Sequence, residues 1–118
     1  MITIYHNPRC SKSREGLELL ENTKQEFTVV KYLDEPLSKD EIKELSKKLG
    51  IKPIELVRQK EAVWKEKFEG KKLTSSQVIN ALEKYPQLIE RPIIVNGDKA
   101  VIARPAERIN EILNLTKI

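Results

Sequence analysis

Residues 2–14 read Ile2-Thr3-Ile4-Tyr5-His6-Asn7-Pro8-Arg9-Cys10-Ser11-Lys12-Ser13-Arg14, and this stretch sets the plan of the fold. Ile2 to Tyr5 is a short β-prone run of the kind that forms a buried strand. Asn7-Pro8 is a turn signal. From Ser13 to Leu20 the pattern becomes helical, with Gly16, Leu17 and Leu20 on the inner face and an end near Asn22-Thr23. Phe27 to Tyr32, rich in β-branched and aromatic residues, reads as a second strand. A strand–helix–strand unit of this spacing implies a right-handed crossover and a parallel pair. It also puts Cys10 at the start of the crossover helix, where backbone N–H groups and the helix dipole favour a thiolate and attract anions.

Further along, the pattern is helical. Ser38-Lys39-Asp40-Glu41 is a capping box, followed by Ile42, Leu45 and Leu49 at helical spacing and by Gly50 as a stop. Pro53 suits the first turn of another helix through Ile54, Leu56 and Val57. Thr74-Ser75-Ser76-Gln77 is a second capping box, opening a helix with Val78, Ile79 and Leu82 that ends at Tyr85-Pro86. Pro92 to Val95 and Ala100 to Ala103, separated by Asn96-Gly97, predict a β-hairpin. Pro105 restarts a helix at its first position, with Ile109, Ile112 and Leu113 facing inward. The order β-α-β … β-β-α is the thioredoxin-like α/β plan with an inserted helical segment, roughly 37–90, in a single domain spanning 1–118.

Composition narrows the function classes. With 39% apolar and 34% charged residues in 118 positions, the chain suits one globular domain with a single core. No apolar run approaches the roughly 20 residues of a membrane span, so no membrane association is expected. The N-terminus lacks the basic region and apolar run of a secretion signal, and a single cysteine allows no internal disulfide, so a cytoplasmic setting is expected. The net charge of +4 is mild and interspersed. Lys60, Lys65, Lys67, Lys71 and Lys72 are broken up by Glu61, Glu66 and Glu69, the pattern of a solvated face, and aromatic residues are few. Nucleic acid is therefore not an expected partner. No long apolar stripe stands out, and a monomer is the default.

Cys10 carries the chemistry. An ordinary thiol, with pKa about 8.5, is only about 3% thiolate at pH 7; a downward shift of about two units makes the thiolate the main form. The N–H groups of residues 11–14, the Ser11 and Ser13 hydroxyls, and Arg14 are candidate sources of that shift. His6, the only histidine, can bond within the loop, orient it, or pair with the thiolate. One His and one Cys cannot complete a zinc site, so no metal and no bound cofactor are expected. Arg91-Pro92 and Arg104-Pro105 stand at the two ends of the predicted hairpin, which lie side by side, so both guanidinium groups can converge. Arg58 follows the apolar run Ile54-Leu56-Val57. Guanidinium forks match tetrahedral oxyanions and carboxylates.

With Cys10 and these arginines in place, the chain resembles the glutaredoxin-coupled arsenate reductases of the ArsC family over essentially its whole length. Among them it resembles the YfgD-like members that carry the HNPRCSKSR loop. His-x3-Cys-x3-Arg matches as His6, Cys10 and Arg14; Arg58, Arg91 and Arg104 match the family's substrate-pocket arginines. The resemblance implies that Cys10 thiolate attacks arsenate to form a thiol–arsenate ester, with Arg58, Arg91 and Arg104 holding the oxyanion. It implies that Ser13 and Arg14 assist within the loop and that His6 helps activate the thiol. Glutathione enters as co-substrate and glutaredoxin as the resolving partner, and arsenite is released. A cis bond at Arg91-Pro92 is also implied. Where typical members have Gly-Thr after the cysteine, this chain has Ser11-Lys12, which are candidate substrate-binding residues; Lys12 adds a cation beside the thiol.

The cysteine count supports this branch independently. Reduction of arsenate takes two electrons, and one thiol supplies only one of the two sulfurs, so the second must come from outside. A Cys-x5-Arg phosphatase loop is absent, since Gly16 holds the arginine position. Two other classes share features: a glutathione-dependent thiol–disulfide oxidoreductase with a Cys-x-x-Ser site, and an Spx-like regulator that binds RNA polymerase. The regulators usually carry Cys-x-x-Cys, whereas Ser13 stands at the second cysteine position here.

Overall fold

The structure, a computed structural model, describes residues 2–113. In chain order the elements are β1 (Ile2–Tyr5), α1 (Ser11–Asn22), β2 (Phe27–Val30), α2 (Lys39–Leu49), a 3-10 turn (Pro53–Leu56), α3 (Ala62–Lys67) and α4 (Ser75–Lys84). A second 3-10 turn (Pro86–Leu88), β3 (Ile93–Asn96), β4 (Lys99–Ile102), a third 3-10 turn (Ala106–Ile109) and α5 (Asn110–Leu113) follow. They form two compact units, one from Met1–Glu35 with Arg91–Ile118 and the other from Pro36–Glu90.

The first unit is built on a four-stranded sheet in the order β2-β1-β3-β4. β1 pairs in parallel with β2, as the crossover requires, and antiparallel with β3; β3 and β4 form the hairpin. This is the thioredoxin-like arrangement that the element order predicts. Ile2, Ile4, Ile94 and Val101 point from the sheet into one cluster with Leu20 of α1 and Ile109, Ile112 and Leu113 of the C-terminal helical segment. Each such side chain contributes about 1.5–3 kcal/mol on full burial. Ile93, Ile94 and Val95 are consecutively buried, so β3 is covered on both faces, which its unbroken apolar run encodes.

Several boundaries differ from the sequence reading. The second strand stops at Val30 rather than Tyr32, although Tyr32 is fully buried. α1 begins two residues earlier than the apolar periodicity suggests, because Ser11 and Lys12 are polar residues on an exposed first turn. In the hairpin, Asn96 pairs with Lys99, so the two loop residues are Gly97-Asp98 and not Asn96-Gly97. Gly97 has φ +67°, and a two-residue turn with positive φ at its first central position puts the glycine there and moves Asn96 into the strand. The Asn96 side chain then donates to Ile112 O at 3.1 Å, tying the hairpin to α5. Pro105 precedes the third 3-10 turn rather than opening an α-helix. Pro53 likewise opens a 3-10 turn rather than an α-helix.

The Pro36–Glu90 unit is helical apart from one isolated bridge, Val57 with Ile89. Both capping boxes form: Ser38 with Glu41 on α2 and Thr74 with Gln77 on α4, each with reciprocal bonds of 2.8–3.2 Å. Gly50 ends α2 in the left-handed conformation at φ 70°. Of the basic stretch, Lys60, Lys65, Lys67, Lys71 and Lys72 are all exposed, and Trp64 is the buried residue of α3.

Gly16 marks where α1 crosses the start of β3. A Cβ on it would stand 2.6 Å from Pro92 Cγ, closer than two carbons pack, so glycine lets the helix approach the proline. Gly16→Ala is therefore expected to destabilise the protein by about 1–3 kcal/mol, the usual cost of overpacking a filled site. Urea unfolding of the two proteins measures this; an unchanged midpoint would mean that α1 retreats without cost.

Candidate active site

The sheet register brings the reactive loop and the arginines to one edge. β1 runs into the loop at its C-terminal end, where Tyr5 pairs with Ile93, the first residue of β3. Ile93 in turn pairs with Ile102, the last residue of β4. His6, Arg91-Pro92 and Ala103-Arg104 therefore all leave the sheet at the same end. Ala103 N–H donates to Pro92 O at 2.9 Å and an Arg104 Nη1–H to Arg91 O at 3.4 Å, so the two Arg-Pro pairs lie side by side. Both are cis peptides; the one at Arg91-Pro92 was expected, the one at Arg104-Pro105 was not.

Cys10 is the N-cap of α1, in extended backbone (φ −98°, ψ 123°), and is partly exposed. Burial pushes its thiol pKa up. The backbone N–H groups of Ser13 and Lys12, and then the charges of Arg91 and Arg104, pull it down, and the net result lies below the ordinary cysteine value. The first turn of α1 contains no acidic residue to oppose an anion. Arg91 and Arg104, which the hairpin brings side by side at this end of the sheet, are the two side-chain charges that lower the thiol pKa. Arg91 is 6% exposed, so its charge is poorly screened.

The loop is held from inside. Ser13 is fully buried; its Oγ accepts the Asn7 N–H at 2.9 Å and lies 2.7 Å from His6 Nδ1. Asn7 O accepts the Cys10 N–H at 3.0 Å, and Asn7 Oδ1 accepts the Arg9 N–H at 3.0 Å. Asn7, legible in the sequence only as a turn residue, is the buried hub that shapes the loop. Its signal was its place before proline, which does not reveal how many bonds it makes. Burial, then the charges of Lys31 and Arg14, lower the His6 pKa, so the ring is neutral at pH 7. His6 meets Ser13, and it reaches the thiol's surroundings through that hydroxyl.

The remaining candidates divide by place. Arg14 lies on the exposed side of α1 and donates from Nη1 to Pro8 O at 2.8 Å, bracing the turn. Ser11 and Lys12 are exposed on the first turn, and Lys12 Nζ lies 3.9 Å from Glu15 Oε1. Arg58 belongs to the Pro36–Glu90 unit. Its N–H donates to Leu88 O at 2.7 Å, and its Nε lies 3.7 Å from Glu61 Oε2.

The model of the ArsC family matches residues 5–112. An arsenate reductase from Haemophilus influenzae is 42% identical over 114 residues, covering 95% of this chain and 98% of that protein. The uncharacterized protein YfgD of Escherichia coli is 45% identical over 114 residues, with 95% and 96% covered. Among solved structures, the arsenate reductase from Vibrio cholerae superposes with a TM-score of 0.91 at 43% identity, covering 95% of this chain and 97% of that one.

Proposed function

The chain belongs to the ArsC family, and we propose that it reduces arsenate to arsenite with Cys10 as the nucleophile. The observation that carries this is one sulfur at a helix N-terminus, at the end of the sheet where Arg91 and Arg104 lie side by side and lower its pKa by their charge. Relatives called arsenate reductases, matching nearly end to end, support the choice of oxyanion.

In this mechanism Arg91 and Arg104 bind the arsenate oxygens and offset their charge at the sulfur, as a preorganised oxyanion site does. Arg58 is the third oxyanion ligand by family resemblance, and Ser11 and Lys12 line the approach. Cys10 thiolate attacks arsenic and a protonated oxygen leaves as water, giving a thiol–arsenate ester. A glutathione thiol supplies the second sulfur. Arsenic takes two electrons, one from each sulfur, and leaves as arsenite; Cys10 and glutathione end as a mixed disulfide. Glutaredoxin then reduces that disulfide and returns Cys10 as a thiol. His6, Ser13 and Asn7 keep the loop in register throughout, and Arg14 holds the Pro8 carbonyl. Such a cycle suits a reducing, cytoplasmic setting and a monomeric enzyme.

The test is arsenite production from arsenate with glutathione and glutaredoxin, with thioredoxin in place of both, and with a glutathionylated peptide as the alternative substrate. Turnover is expected only with glutathione and glutaredoxin, and arsenate is expected to outpace the peptide. The reverse ranking would assign the site to thiol–disulfide exchange.

A further inference from the structure

The β3–β4 turn brings together the two halves of a spontaneous amide reaction, at the opposite end of the sheet from the Cys10 loop: Asn96 pairs with Ile2, whereas Ile93 pairs with Tyr5. In an Asn-Gly step the glycine nitrogen attacks the side-chain carbonyl carbon of the asparagine, and the missing Cβ leaves that approach unhindered. Gly97 is free for the nucleophilic half. It follows the last paired residue of β3, has φ +67°, and a Cβ built on it would meet nothing within 4 Å. The electrophilic half is restrained. Asn96 is half-buried, pairs with Ile2 on one side and Lys99 on the other, and donates from Nδ2 to Ile112 O at 3.1 Å. Ring closure has to swing the Asn96 Cγ toward Gly97 N, and the bond to Ile112 opposes that swing. Burial holds Ile112 in turn: it and Leu113 are each 4% exposed, packed in one cluster with Ile2, Ile4, Ile94 and Val101.

We propose that Asn96 is a deamidation site that docked α5 holds closed, and that its conversion unlatches α5 from the hairpin. When α5 lifts, Gly97 N bonds to Asn96 Cγ, the Cγ–Nδ2 bond breaks, and ammonia leaves with the Gly97 proton delivered through solvent. The resulting succinimide is opened by water to an aspartyl or an isoaspartyl residue; nothing is oxidised or reduced. Both products lose the Nδ2 donor. The aspartyl form turns a carboxylate toward the Ile112 carbonyl, acceptor against acceptor. The isoaspartyl form adds a methylene to the main chain and breaks the pairing with Ile2 and Lys99. A molecule whose C-terminal packing has once opened is thereby marked irreversibly.

The experiment incubates the full chain at neutral pH and follows conversion at Asn96 by peptide mass spectrometry. The native protein is expected to react about tenfold or more slowly than the chain in urea, because reaction waits on local opening. Leu113→Ala, which loosens α5, should raise the native rate roughly threefold or more. Ile112→Val is the milder variant should that one fail to fold, with a smaller rise expected. Leu82→Ala, in the core of the Pro36–Glu90 unit, should leave the rate near the parent's. Equal acceleration by Leu82→Ala and the α5 variants would place the reaction in global unfolding and overturn the gating by α5. A native rate equal to that in urea, or no conversion in urea, would overturn the site. For the consequence, Asn96→Asp is expected to lower the urea midpoint more than Asn96→Ala, since it adds repulsion to the lost bond. An Asn96→Asp protein as stable as the parent would overturn the unlatching.

Discussion

Cys10→Ser is expected to lower arsenite production by about a thousandfold or more, to background. A serine hydroxyl is barely ionised at pH 7, and its oxygen cannot give up an electron to form a disulfide. Both the attack and the reduction therefore fail together. The substitution is close to isosteric at an N-cap, where serine is favoured, so the fold should be kept and circular dichroism should match the parent. Arg91 and Arg104 remain in place, so arsenate binding measured by calorimetry should persist while turnover disappears. Retention of full activity would show that another group is the nucleophile.

Arg91→Ala is expected to lower kcat/KM for arsenate by about a hundredfold or more, mostly through KM, because the buried guanidinium to which the proposed mechanism assigns the oxyanion is lost. The same substitution should move the thiol titration. Arg91 stabilises the thiolate and not the thiol, so its removal raises the Cys10 pKa and less thiolate is present at a given pH. Alkylation of Cys10 by iodoacetamide as a function of pH reads this directly: the curve should shift to the alkaline side. Arg91→Lys keeps the charge but loses the two-pronged fork, so it should recover the titration better than the arsenate KM. If Arg91→Ala left the alkylation curve where it was, the Arg91 charge would not be stabilising the thiolate.

Much of the first unit was legible because its signals are local. Alternation in Ile2–Tyr5, the helical face of Gly16, Leu17 and Leu20, and a Gly-containing turn between β-prone runs each depend on residues a few positions apart. The misread details depend on backbone dihedrals. The hairpin loop moved by one residue because Gly97, not Asn96, takes the positive φ first. The Pro53 and Pro105 segments tightened into 3-10 turns, which apolar spacing over four residues cannot separate from an α-helical turn.

Within the site, residue type announced Cys10. The sequence alone determined that the protein has one thiol, that it follows the first strand at a helix N-terminus, and that any second sulfur is external, because these are matters of count and order. Only the tertiary structure decided which groups act on that sulfur. Arg91 and Arg104 lie 81 and 94 positions from Cys10, and their charges bear on its thiol because β3 pairs antiparallel with β1 and with β4, which brings both arginines to the end of the sheet where the Cys10 loop begins. His6 turned to Ser13 for the same kind of reason: a buried ring takes the nearest satisfied partner, and the fold placed a buried hydroxyl there. Pairing across a sheet and burial beneath a loop are long-range facts, and no local pattern of residue types encodes them.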